Sequence, residues 1–307
     1  MKSLVGNTGF VGSNIAEQTK FEGLYNSKNI KDAFGTHPDL LIYAGIRAEK
    51  FLANSDPDKD FEIVKEALEN IKKISPQKLV LISTVDIYKH PNNVDEDSEI
   101  EKAGLHPYGF NRYWLEEQAL ASGIDALIVR LPALFGRNLK KNFIFDIINL
   151  VPSMLTEQKL AELCEKDDFI RPFYQMQDNG FYKCIVKTPA EQLELKSYFN
   201  QSGFSALNFT DSRSVFQFYS LFYLWEHIKI ALEHGLSKLN LATAPISAGD
   251  IYQEFYEGKK FVNILDKPFP HYDFKTKYAA LFGGKNGYIF DRERVVTDVK
   301  RFICERK

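Results

Sequence analysis

The chain has 307 residues, 44% of them hydrophobic and 26% charged, an ordinary globular composition with length for one large domain or two modest ones. Lys and Arg number 39 against 41 Asp and Glu, a formal charge of −2 with no polybasic run, which excludes nucleic acid and anionic membrane as first partners. Cys164, Cys184 and Cys304 are an odd set with no CxxC spacing, so a disulfide framework or zinc ribbon is excluded, and a cytoplasmic protein without bound metal is expected.

No apolar run approaches the roughly 20 residues that span a bilayer. No charged n-region precedes Ser3-Leu4-Val5, so a secretory leader is not expected either. Ser3–Val5 reads as a short strand, and Gly6-Asn7-Thr8-Gly9-Phe10-Val11-Gly12 as a turn opening a helix over Phe10–Lys20. Glycines at this spacing allow a tight turn and close backbone approach to a diphosphate, and the helix N-terminus offers free N–H groups and a positive dipole end. A second strand ends near Tyr25-Asn26-Ser27-Lys28. Asp39–Ala44 and Lys78–Ser83 are continuous apolar runs of the buried parallel kind. Between them, Phe61, Val64, Leu68 and Ile71 share one face of a helix over Asp60–Ile74. Pro107–Ala121 is a further helix and Asp125–Leu131 a further strand. Strands separated by helices of this length predict an α/β fold, a Rossmann-like doubly wound parallel sheet.

After Gly136 the pattern changes. Leu139–Leu150 and Thr156–Gln175 read as helices, followed by an aromatic-rich mixed stretch to about Arg213 whose Phe169, Phe173, Tyr174, Phe181 and Tyr182 suit a core. Val215–His234 reads as a long amphipathic helix, Lys238–Ala242 as a strand, and Ser247–Tyr256 as a helix with Ser247 at its N-cap. The expected division is a dinucleotide-binding core over 1–136 and a smaller mixed, mainly substrate-binding cap over 137–307, with about 205–245 returning to the core.

The G-x-x-G-x-x-G spacing within VGNTGFVGSNIA resembles the extended, sugar-nucleotide-modifying branch of the short-chain dehydrogenase/reductase superfamily. Ile82-Ser83-Thr84-Val85-Asp86-Ile87-Tyr88 resembles that branch's S-T/S-x-x-V-Y segment, and Tyr108-Gly109-Phe110-Asn111-Arg112 its Y-G-x-x-K, with Arg112 where the family carries Lys. Tyr43-Ala44-Gly45-Ile46-Arg47 is similar to the segment after the family's fourth strand, which lies beneath the cofactor. Arg130–Gly136 resembles R-x-x-N-x-Y-G, with Ala133 in place of Asn, and LNLATAPISAGDIY a structural strand-turn-helix.

The resemblance implies a catalytic group of Thr84, Tyr108 and Arg112. A phenol near pKa 10 is a poor base at neutral pH unless a cation favours phenolate. Tyr108 would then exchange a proton with a substrate oxygen that Thr84 also holds. Asp86 stands where related dehydratases carry an acid that removes the proton beside a ketone, its plainer alternative being a loop cap. The implied cofactor contacts are Gly6, Thr8, Gly9, Phe10, Val11, Gly12, Ser27, Lys28, Ala44, Gly45, Arg47, Ser83, Tyr108, Arg112 and Pro132. No acidic side chain closes the second strand, and Ser27 with Lys28 could accept a 2′-phosphate, which tilts the choice from NAD towards NADP. Lys50, Asn142, Arg213 and Gln217 are the substrate candidates, with Lys140 and Lys141 adding donors for a diphosphate. The function implied is an NAD(P)-dependent oxidoreductase or epimerase on a nucleotide-activated sugar, in a chain that admits a homodimer. Two alternatives stay open: a cofactor-binding protein with little or no catalysis, and a nucleotide-sugar dehydratase.

Overall fold

The computed structural model describes residues 1–165, 167–256 and 259–305. Apolar runs become the strands β1 (Lys2–Val5), β3 (Leu40–Tyr43), β4 (Lys78–Thr84) and β5 (Asp125–Leu131), joined by β2 (Gly23–Tyr25). With the strand Lys238–Asn240 they make a six-stranded sheet, every pair parallel, in the order β2-β1-β3-β4-β5 and then Lys238–Asn240. Successive side chains of each strand enter opposite layers. Leu4, Ile42, Val80 and Val129 pack with Ile15, Leu224 and Ile228, whereas Val5, Leu41, Leu79 and Ile128 pack with Val64, Leu68, Ile71 and Leu115. That two-sided burial is why the strands read as unbroken apolar runs.

The helices on these layers include α1 (Phe10–Gln18), α2 (Lys50–Ser55), α3 (Pro57–Ile74) and α4 (Pro107–Ala121). Both α3 and α4 start at a proline behind a capping side chain: Asp56 accepts from the Lys59 N–H, and His106 from the Gly109 N–H. The strand order reverses direction between β1 and β3, the switch point at which ligands bind beyond the carboxyl ends of a doubly wound sheet. The Tyr43–Arg47 segment follows the third strand of this chain, not a fourth, because only a single 3₁₀ turn, Ile30–Ala33, lies between β2 and β3.

Residues 1–139, 215–246 and 270–307 form one compact unit, and 140–214 with 247–269 a second. In the first, β6 (Ala133–Phe135) pairs in parallel with Phe218–Ser220. The expected helix over Val215–His234 is therefore confined to Leu224–Glu233. Gln217 accounts for the difference: its buried amide donates to the carbonyls of Thr243 at 2.5 Å and Phe274 at 2.9 Å, holding the chain extended, and Ser220 then caps the 3₁₀ turn that leads into the helix.

The second unit packs Leu155, Leu160, Ile170, Leu195 and Phe199 beside an antiparallel sheet in which Phe181–Cys184 lies between Met154–Thr156 and Tyr174–Met176. The expected helix over Thr156–Gln175 stops at Cys164; Asp167 then caps a 3₁₀ segment, Asp168–Phe173, that contains Pro172 and delivers Tyr174 into a strand. Ser247 caps the helix Ala248–Phe255, accepting from the Asp250 N–H at 3.0 Å. Among the described residues no helix is long and apolar enough to cross a membrane.

Candidate active site

The glycine turn brings three chain segments together. Gly6 has φ +90° and donates its N–H to the Tyr25 carbonyl at 2.7 Å; a Cβ there would meet the Ala44 carbonyl oxygen at 2.4 Å. A Cβ on Gly12 would lie 2.2 Å from the Gly6 oxygen, so the first turn of α1 can rest on the loop only as glycine. Gly9 is the N-cap and supplies no side chain to the first-turn amides. Those amides have no partner inside a helix, and the dipole ends positive there, so the turn fits a diphosphate. Thr8 is exposed beside it, Phe10 and Val11 half-buried. Ser27 and Lys28 follow β2 directly and are both exposed. Ala44 and Gly45 leave β3, at the switch point, with Arg47 exposed just beyond.

Thr84 ends β4, where its Oγ1 accepts the Asp86 N–H at 3.1 Å and starts a 3₁₀ turn. Gly109 allows α4 to come up against that turn: a Cβ there would sit 2.2 Å from the Asp86 carbonyl oxygen. This approach brings Tyr108 beside Thr84, whose side chain acts to lower the phenol. Asn54 fixes the other end of Tyr108, its Oδ1 accepting the backbone N–H at 3.0 Å.

Arg112 lies one turn along α4 on the same face, as its spacing requires. Its guanidinium carbon is 4.1 Å from the centre of the Tyr108 ring, one terminal nitrogen pairs with Asp60, and the other donates to the Arg47 carbonyl at 2.8 Å. Asn111 also donates to the Asp60 carboxylate, at 2.8 Å. Burial pushes the Tyr108 phenol up to about 12; Asp86 and Asp60 act with it, while Arg112 and the Thr84 side chain act against it.

Asp86 is not a loop cap. Its Oδ1 receives Lys50 Nζ and the Tyr272 hydroxyl, each at 2.8 Å. Burial is the main cause that raises the Tyr272 phenol, with Asp86 adding to it. His106 stands at the start of α4, its imidazole pushed down by burial and by Lys50. A cavity of about 200 Å³ opens in the same unit, lined by Thr84, Asp86, Pro132, Gln217, Tyr272 and Phe274 among others.

Beneath this group runs a fully buried polar chain. Arg130 pairs with Glu116, Nη2 to carboxylate 2.7 Å, and donates to the Tyr88 hydroxyl at 2.7 Å. Ser83, one of the residues assigned to the cofactor by its motif, donates its hydroxyl to Glu116. Gln217, assigned to the substrate, lines the cavity with its amide fully engaged by backbone groups, since its Oε1 also accepts the Phe274 N–H at 2.9 Å.

Asn142 and Arg213 belong to the second unit. Asn142 caps the helix Phe143–Asn149 by accepting the Phe145 N–H at 3.1 Å. Arg213 makes a two-armed pair with Asp211, at 2.9 and 2.7 Å, and stacks over Phe269 at 4.5 Å along an open groove formed with Leu265–Phe269. That pair holds the Asp211 carboxyl well below the usual range.

Four residues of the group carry no motif: Asn54, Asp60, Glu116 and Tyr272. One had a signal: Glu116 stands one helical turn beyond Arg112 on α4, and it is Arg130 that takes it. Tyr272 is separated from Asp86 by 186 residues, which no local period spans.

The model of the NAD dependent epimerase/dehydratase family matches residues 22–178 of the chain. No curated protein matches it. Among solved structures, the dTDP-4-dehydrorhamnose reductase of Bacillus anthracis in complex with NADP is similar, with 14% identity, TM-score 0.62 and 99% of each chain covered. The enzyme WbmG of Bordetella bronchiseptica in complex with NAD and UDP shows 14% identity and TM-score 0.61 over 99% of this chain and 93% of that one. A UDP-glucuronic acid 4-epimerase from Bacillus cereus in complex with NAD shows 15% identity and TM-score 0.60 over 100% of both chains. At these identities the likeness is one of fold.

Proposed function

The chain belongs to the NAD dependent epimerase/dehydratase family, and from that we propose an NAD(P)-dependent oxidoreductase or epimerase acting on a nucleotide-activated sugar. The observation that carries this reading is the close approach of α4 to the turn after Thr84, which sets Tyr108 beside Thr84 on the wall of a cavity at the carboxyl ends of the strands.

Gly6, Gly9 and Gly12, with the amides of Phe10 and Val11, would hold the dinucleotide diphosphate, and Ala44, Gly45 and Pro132 would line its nicotinamide end. When bound, the dinucleotide supplies hydride exchange. The chain's own work is proton transfer and placement. Thr84 orients the substrate oxygen, and Tyr108 exchanges a proton with it. Lys50 and Tyr272 hold the Asp86 carboxylate against the same cavity. Arg213 and Asn142, with the second unit as the substrate-binding part, are assigned to the nucleotide diphosphate. The dehydratase alternative makes Asp86 the base, yet one of its oxygens already takes two donors.

For the cofactor we favour NADP, since the turn after β2 carries an exposed Lys28 and no carboxylate. Lys28→Asp should then weaken NADP binding by about tenfold or more, the scale of one lost charge-assisted phosphate contact, and spare NAD. Native protein that binds NAD at least as tightly as NADP contradicts the preference. The wider reading is tested by turnover over a panel of nucleotide sugars: it requires a substrate, and the loss of its turnover in Tyr108→Phe with cofactor binding kept.

A further inference from the structure

Arg112 is committed to the protein at both terminal nitrogens, one on Asp60 and one on the Arg47 carbonyl, and it is only 5% exposed. Its guanidinium carbon lies over the Tyr108 ring, 4.1 Å from the centre. Asp60 is itself buried, reaching in from α3, and Asn111 holds the same oxygen that takes Arg112. The cation therefore arrives at Tyr108 already paired with a carboxylate. The pairing offsets part of the arginine's charge, which leaves burial of the ring as the stronger influence on the phenol.

We propose that Asp60 is a positioning residue that partly neutralises Arg112 over the Tyr108 ring, so that Tyr108 works as a proton donor and the substrate is a ketone awaiting reduction. This rests on the oxidoreductase reading above. The step balances as follows: the ketone takes a hydride at carbon and the phenolic proton at oxygen and is reduced to an alcohol, the nicotinamide dinucleotide is oxidised, and Tyr108 recovers its proton from water. Oxidation of an alcohol needs the opposite state, a phenolate able to accept. The charged and titratable groups facing Tyr108 are Arg112 on α4, Asp60 on α3, Asp86 after β4 with its partners Lys50 and Tyr272, and His106 beside the ring at 6.3 Å. Each carboxylate is held by a cation, Asp60 by Arg112 and Asp86 by Lys50, so the burial of the ring, 6% exposed, decides for the neutral phenol, in line with its rise to about 12.

Tyrosine labelled with carbon-13 at the ζ position, read by NMR without substrate, isolates this coupling; the Tyr108 signal is the one missing in Tyr108→Phe. Native Tyr108 should keep its phenol signal beyond pH of about 10, the ordinary tyrosine value. In Asp60→Asn the unpaired arginine should lower the midpoint by about one unit or more, a tenfold gain in phenolate, and Asp60→Glu should restore it. With a nucleotide keto-sugar, the reduction rate should stay level to alkaline pH in the native protein and fall off at lower pH in Asp60→Asn. A native Tyr108 that titrates below the ordinary value overturns the proposal without any variant, as does an unmoved midpoint in a folded Asp60→Asn. If the titrations behave as expected and no keto-sugar is reduced, the ketone assignment and the oxidoreductase reading fall together, while the Asp60–Arg112–Tyr108 coupling stands.

Discussion

At Tyr108 a single proton is governed by neighbours from four elements: Thr84, Asp86, Asp60 and Arg112. General acid–base groups contribute about 10²–10⁴ in rate, so Tyr108→Phe should lower kcat by at least about 10², with the cofactor dissociation constant unchanged. The phenyl ring keeps the packing under Arg112, and only the transferable proton goes. Thr84→Ser should keep activity and Thr84→Val should lose it, since the valine can hold neither a substrate oxygen nor the Asp86 N–H. Equal rates for the two Thr84 variants would remove the hydroxyl from the mechanism. Thr84 and Tyr108 could be found because each lies in a short segment that resembles a family motif, and Arg112 because it follows Tyr108 by one helical turn. Where the arginine's charge goes could not, because Asp60 meets it across 52 residues.

Among the elements, the glycine turn and α4 carry the argument. Gly9 has ordinary extended backbone, and a Cβ there would sit 3.2 Å from the Gly6 oxygen, a tight contact that a shift of a few tenths of an ångström relieves, against 2.2 Å at Gly12. Gly9→Ala should lose nicotinamide dinucleotide binding, which isothermal titration measures, with its fold checked by circular dichroism; native affinity in this variant would exclude the turn as the cofactor site. Helix α4 is tied to the sheet from below by Glu116, 1% exposed, through Arg130 on β5 and Ser83 on β4. Glu116→Ala leaves a buried arginine unpaired and should cost about 3–5 kcal/mol in chemical denaturation. The strands and helices up to Leu131 were legible because two-sided burial and 3.6-residue periods leave plain patterns. The Val215–His234 segment was not: Phe216, Phe218 and Ser220 fit an extended chain while Leu224, Ile228 and Ala231 fit a helix, and the change of period falls inside one apolar run.

For the whole molecule, the parallel sheet and its two layers follow from sequence pattern, while the antiparallel sheet of the second unit does not, its strands of three and four residues being too short to show a period. A buried histidine in the first unit sets an acid limit. His227 is 6% exposed and bonded to the Tyr219 hydroxyl at 2.8 Å, and burial pushes it down from 6.5 to about 4. Its folded value lies below the unfolded one, so stability is full above pH 6.5 and is lost as pH falls from 6.5 to about 4. The loss should reach roughly 3 kcal/mol across that window, and His227→Gln should flatten it in urea titrations at each pH. The central claim, a family member that reduces a nucleotide-activated keto-sugar through Tyr108, is tested most directly by nicotinamide absorbance in native and Tyr108→Phe protein over nucleotide keto-sugars with NADPH and NADH. The account predicts sugar-dependent loss of the reduced cofactor in the native protein and a rate at least about 10² lower in Tyr108→Phe, which still binds the cofactor. Turnover of the same sugar at the native rate by Tyr108→Phe would contradict it.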